Sequence, residues 1–169
     1  DRYTVAGQGT ISLELLAQLP AVDQIVVPIG GGGLITGISY AMKHLKPDVR
    51  IIGVMPEGSA VYAASRAAGK LVTLDTCASM ADAVVRKTGE PYLYPYIERY
   101  VDDIVTVSEE QLRKAVKLAC LYAKLTLEGA ASLSLAAVMS GRCALTAHTV
   151  LLCSGGNIDG AVLLSCLQD

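Results

Sequence analysis

Charge is scarce in this sequence and nowhere concentrated. Charged residues make up 18% of the 169, the net charge is −2, and Lys and Arg form no cluster. A nucleic-acid surface needs such a cluster, so no nucleic-acid partner is expected. No uninterrupted apolar run is long enough to span a bilayer and no signal peptide opens the chain, so a cytoplasmic protein with no membrane partner is expected. Disorder is excluded from the opposite direction, because 52% of the residues are hydrophobic. Cys77, Cys120, Cys143, Cys153 and Cys166 lack any C-x-x-C or Cys/His spacing, which argues against a metal site. They read as reduced thiols, mostly small apolar core residues. His44 reads as solvated and His148 as the start of a strand. Neither has a visible Cys or Asp partner, so no catalytic dyad is expected.

Glycine, by contrast, is dense at one place. The run Ile25-Val26-Val27-Pro28-Ile29 reads as a buried parallel strand, and Gly30, Gly31, Gly32 and Gly33 follow it without interruption. Beyond them Leu34, Ile35, Ile38, Ala41, Met42 and Leu45 recur at helical spacing. Strand, glycine loop and helix start make an anion site. The first N–H groups of the helix lack partners, and the dipole adds partial positive charge. Glycine also lets a phosphate approach the backbone closely. The dinucleotide pattern fails because its third glycine would fall on Ile35, and the P-loop pattern fails because no Gly-Lys-Ser or Gly-Lys-Thr closes the loop. A phosphate-bearing ligand is the leading expectation, with a ligand-free tight turn as the alternative.

In chain order, Thr10 is expected to cap a helix carrying Ile11, Leu15, Leu16 and Leu19, which Pro20 stops. After the glycine helix, Arg50–Met55 is a second strand, so a right-handed β-α-β unit is predicted. An alanine-rich helix from Ala60 to Ala68 ends at Gly69. The stretch from Leu71 to Met80 has no readable pattern. A helix over Tyr92–Tyr100 aligns Tyr92, Tyr96 and Tyr100 as a packing stripe. Asp102–Val107 is a strand whose adjacent carboxylates point to opposite faces, which argues for a solvated strand start rather than an acid pair. Ser108-Glu109-Glu110-Gln111 is a capping box for a helix to Lys124. A helix from Leu127 to Gly141, a buried strand Thr149–Cys153 and a last helix from Ile158 complete the chain. The Ser154-Gly155-Gly156-Asn157 turn echoes the first glycine loop, and open α/β sheets bind ligands at such strand ends. The fold class expected is α/β, a parallel open twisted sheet with helices on both faces, forming one domain over residues 1–169. The start at Asp1, directly in patterned sequence, leads us to expect a fragment or a processed product.

Five motifs now stand in order: Gly7-Gln8-Gly9-Thr10, Val27 to Leu34, Val101 to Glu110, Leu127-Glu128-Gly129-Ala130 and Ser154 to Asp159. Together they resemble the fold-type II pyridoxal 5'-phosphate (PLP) enzymes of the serine/threonine dehydratase and serine racemase family, over essentially the whole chain. The resemblance implies that Gly30, Gly31, Gly32, Gly33 and Leu34 cradle the phosphate of PLP. It places Glu128 near the ring and Ser154, with Gly155, at the pyridine nitrogen. A neutral hydroxyl there leaves the ring a weaker electron sink than a carboxylate partner would, which favours loss of a β-hydroxyl from the substrate. The implied reaction is β-elimination from L-threonine or L-serine to a 2-oxo acid and ammonia, in a homo-oligomer.

The departures are equally specific. The Ser-x-Lys-x-Arg motif that supplies the family's Schiff-base lysine has no match here, so no catalytic residue is expected in this chain and the lysine is assigned to an upstream part. The large domain of the family also takes strands from upstream sequence, which would leave one sheet edge open and prone to association here. Where the family has Ala-Asp-Gly and Glu-Gly-Ala-Gly, this chain has Ala81-Asp82-Ala83 and Glu128-Gly129-Ala130-Ala131. Methyl groups at Ala83 and Ala131 would crowd the site if the backbone required φ > 0. Met55 and Val61 stand where some members have acidic metal ligands, so no metal is expected. A catalytically inactive relative serving as an interaction or subunit protein, and a serine racemase-type enzyme, are the alternatives.

Overall fold

A computed structural model describes residues 1–168. Its elements run α1 (Arg2–Gln18), β1 (Gln24–Pro28), α2 (Gly33–Leu45), β2 (Arg50–Pro56), α3 (Val61–Ala68), α4 (Tyr94–Tyr100) and β3 (Asp103–Val107). Then come α5 (Glu109–Leu118), α6 (Gly129–Met139), β4 (Thr149–Leu151) and α7 (Gly160–Gln168). The four strands are all parallel, in the order β3-β2-β1-β4. The expected parallel sheet is therefore present.

Side-chain alternation divides two apolar layers between the faces of this sheet. Ile25, Val27, Ile51 and Met55 join α1, α2, α3 and α4 on one side. Val26, Ile52 and Val54 join α5 and α6 on the other. Every residue of β1 is buried, as suits a strand with neighbours on both edges and helices on both faces. From β1 the chain winds to β2 and β3 with its helices on the first face. It then returns over the opposite face to lay β4 beside β1, as right-handed crossovers require when the direction of winding reverses. The sheet thus has a switch point between β1 and β4.

Local chemistry accounts for most boundaries. Gly69, at φ 64°, ends α3 in the left-handed conformation that favours glycine. The Ser108–Gln111 capping box opens α5 with both reciprocal bonds formed. Asp102 accepts from the Ile51 N–H at 2.7 Å and pairs with Lys43 at 2.8 Å, while Asp103 meets Arg50 at 3.5 Å. The two carboxylates diverge as strand alternation dictates. The tyrosine stripe packs as expected: Tyr96 and Tyr100 stack with centroids 6.4 Å apart, and Tyr40 approaches both edge-on.

Four expectations need correction. Asp1, not Thr10, caps α1, its carboxylate accepting from the Tyr3 N–H at 2.6 Å. Thr10 lies inside the helix and donates to the Gly7 carbonyl, because Gly7 and Gly9 are tolerated where they face open space and a neighbouring helix. The α5 helix stops at Leu118 and gives way to a π-helical turn, Ala119–Ala123, closed by Lys124 at φ 59°. The last strand is three residues long and half-buried, since only β1 flanks it. His148 does find an acidic neighbour, with Nδ1 3.8 Å from Asp23 Oδ2, but both are exposed and distant in sequence.

The position of α1 depends on glycine. A side chain on Gly37 would overlap the Val5 carbonyl oxygen and stand 2.7 Å from the Gly9 nitrogen, so α1 and α2 cross backbone against backbone. The Ser12 hydroxyl adds a bond to the Ile38 carbonyl at 3.0 Å across the same crossing. Gly37→Ala is expected to lower stability by about 3 kcal/mol, the upper end of overpacking costs. Urea unfolding followed by circular dichroism measures it.

Candidate cofactor site

At the carboxyl end of β1 the chain turns through Gly30–Gly33 into α2. Among the described residues, the N–H groups of Gly31, Gly32, Gly33, Leu34 and Ile35 have no hydrogen-bond partner, whereas Ile29 N–H bonds Val54 and Thr36 N–H bonds Gly32. Those free donors at a helix N-terminus favour an anion. Gly32 adopts φ 91°, and a side chain on it would stand 2.9 Å from both the Tyr62 hydroxyl and Ile97. Gly30 lies against Val84, whose Cα would be 2.9 Å from an added Cβ. At Gly31 and Gly33 the space is open, with nothing nearer than 3.9 Å and 4.0 Å.

At the carboxyl end of β4 the second turn follows. Ser154 is exposed, and Glu128, the residue before α6, is half-buried beside it. The Glu128 N–H donates to the Gly155 carbonyl at 3.1 Å, and the Asn157 N–H donates to Glu128 Oε2 at 3.2 Å. Gly155 does not line the cleft itself. A side chain there would run into the Glu128 carboxylate, with Cδ at 2.6 Å, so its lack of one is what admits Glu128. Burial pushes the Cys153 thiol above its usual pKa, which makes it a poor nucleophile at neutral pH.

The two turns meet. Gly30, Gly31, Gly32, Gly33, Leu34, Glu128 and Ser154 line one cleft of about 200 Å³. It opens at the switch point between β1 and β4, where doubly wound sheets place their ligands. Pockets that enclose a ligand run to roughly 300–1,000 Å³, so this cleft covers one side of a small molecule. Ala83 and Ala131 line it too. Lys124 is the one non-glycine at positive φ among the described residues, so neither alanine carries backbone strain. Among the described residues no lysine lines the cleft. A second cleft, between α1, α2 and α4, has largely apolar walls and is lined by none of the residues of either turn. Among the described residues no three His, Cys, Asp or Glu side chains come together as metal ligands.

The description of pyridoxal-phosphate dependent enzymes matches residues 1–155. This chain belongs to that family. It is 37% identical over 159 residues to L-threonine ammonia-lyase of Thermotoga maritima, covering 94% of this chain and 40% of that protein. It is 39% identical over 165 residues to serine racemase of Arabidopsis thaliana, covering 94% of this chain and 50% of that protein. The structure of maize serine racemase superposes with a TM-score of 0.89 at 34% identity, over 99% of this chain and 54% of that one. The chain thus spans about half the length of the curated relatives it matches. The cofactor of the family is PLP, and the open, donor-lined cradle at Gly31 and Gly33 fits its phosphate.

Sequence reasoning missed the outer wall. Tyr62, which holds the glycine loop from behind, comes from an alanine-rich helix, and Val84, which packs on Gly30 and lines the cleft, follows the Ala81-Asp82-Ala83 stretch. Only the paired glycines they touch signalled a close neighbour. Gly32→Ala is expected to weaken phosphate binding at least tenfold and to cost about 1–2 kcal/mol for left-handed backbone alone. Isothermal titration with inorganic phosphate and a urea melt test the two parts separately.

Proposed function

We propose that this chain is the PLP-binding unit, residues 1–169, of a serine/threonine dehydratase that eliminates the β-hydroxyl of L-threonine or L-serine to give a 2-oxo acid and ammonia. The observation that carries this is the convergence of the Gly30–Gly33 amides and the Ser154 hydroxyl on a single cleft. The cofactor, when bound, supplies the conjugated ring that delocalises the electron pair left at the substrate Cα.

The residues of this chain divide the remaining work. Gly30–Gly33 and Leu34 direct backbone N–H groups and the α2 dipole at the phosphate, which fixes the cofactor's position without a side-chain charge. Ser154 offers a neutral hydroxyl to the ring nitrogen. Because that partner carries no charge, it would not favour a protonated ring nitrogen, and the weaker electron sink would suit loss of a β-hydroxyl. Glu128, held by the Asn157 N–H and packed against Gly155, would lie near the cofactor ring. The lysine that forms the covalent link belongs to another part of the whole protein. Lys43 is engaged by Asp102 and Lys46 by the carbonyls of Pro20 and Val22, away from the cleft.

Five free cysteines support a reducing, cytoplasmic compartment. The unpaired edge of the short strand β4 supports association, and the assembled protein is a homo-oligomer. Serine racemases stand among the relatives beside threonine ammonia-lyases, so the test must separate the two reactions.

Two measurements test the proposal. Borohydride reduction of this chain with PLP is expected to leave all seven of its lysines without stoichiometric label by peptide mass spectrometry. A full label on any of them would refute the division of labour. The whole protein, given L-serine and L-threonine, is expected to release 2-oxo acid and ammonia. D-serine as the main product would assign it to racemisation instead, and no turnover of either would mark an inactive relative.

A further inference from the structure

Tyr62 is fully buried, yet its hydroxyl is not idle. It donates to the Gly31 carbonyl at 3.0 Å and accepts from the Glu90 N–H at 2.9 Å. The ring lies between two glycines, since side chains on Gly32 and Gly89 would stand 2.9 and 2.8 Å from it. The phenol therefore sits in a slot that only glycine neighbours leave open, and it bridges the glycine loop to the segment before α4.

The peptide between Gly31 and Gly32 is trans. In a trans peptide the carbonyl and the following N–H point in opposite directions. A carbonyl anchored to Tyr62, behind the loop, must therefore turn the Gly32 N–H to the loop's other side. Tyr62 is absent from the cleft wall while Gly31, Gly32 and Gly33 are in it, so that other side is the cleft. Four consecutive glycines have wide freedom, and without an anchor this peptide could flip and present a carbonyl oxygen to an anion. Burial raises the Tyr62 pKa, which keeps the phenol a donor across the physiological range.

We propose that Tyr62 is the positioning residue of the anion cradle: its hydrogen bond to the Gly31 carbonyl holds the Gly32 N–H toward the cofactor phosphate. This rests on the reading of the glycine loop as the phosphate site. The role belongs to the hydroxyl and not to the ring, so the two are separable by a single-atom change.

The test uses this chain labelled with ¹⁵N-glycine and titrated with inorganic phosphate. In the native chain phosphate is expected to shift the Gly32 amide resonance strongly downfield. Tyr62→Phe is expected to weaken phosphate binding five- to twenty-fold and to shrink the Gly32 shift. Tyr94→Phe removes another part-buried hydroxyl bond, to the Ser65 carbonyl at 3.3 Å, and is expected to leave phosphate binding unchanged. Equal phosphate affinity in the native and Tyr62→Phe chains would overturn the role of Tyr62 while leaving the phosphate site standing. If Tyr62→Phe does not fold, the native titration decides alone: phosphate binding with an unmoved Gly32 amide overturns the proposal. Absence of phosphate binding by the native chain would remove the site and this inference together.

Discussion

The structure turns on one topological constraint. Parallel strands joined by right-handed crossovers can be wound in either direction from a central strand, but reversing the direction moves the connections to the other face. Here the reversal falls between β1 and β4. The turns leaving those two strands are drawn apart, toward opposite layers of helices, and a crevice opens between their ends. Nothing in the chemistry of glycine or serine makes that crevice. Their residue types decide what it holds once the winding has made it.

The two walls of the crevice are built differently. One is mostly backbone: a loop of small residues feeding α2, supported from behind by Tyr62 and Ile97 and flanked in the cleft by Val84. The other is a pair of turns bonded to each other through Glu128, Gly155 and Asn157. Backbone donors suit an anion of fixed shape, and a hydroxyl beside a carboxylate suits a heterocycle with one polar edge. The relatives that share this architecture are about twice as long.

Much of this was legible in the sequence because its signals were local. Glycine density, the β-branched run before it and the capping box each follow from neighbours within a few positions, and the parallel sheet follows from strand and helix alternating. The start of α1 was misplaced because Gly7 and Gly9 read as a loop, whereas Gly9 packs on Gly37, far along the chain, and Gly7 merely faces open space. Tyr62 and Val84 were invisible for the same reason. Their importance comes from what they touch across the fold, and neither sits in a pattern of its own. The early end of α5 had no sequence signal either, since Lys124 is an ordinary helix former held at positive φ by its surroundings.

The mutual bonding of Glu128 and the Ser154–Asn157 turn has a thermodynamic consequence. These groups already satisfy one another before any ligand arrives, so docking orders little that was loose. Association then forfeits less conformational freedom than it would at a floppy rim. Selectivity at this wall would come from shape fixed in advance by the Glu128 carboxylate and the turn bonded to it.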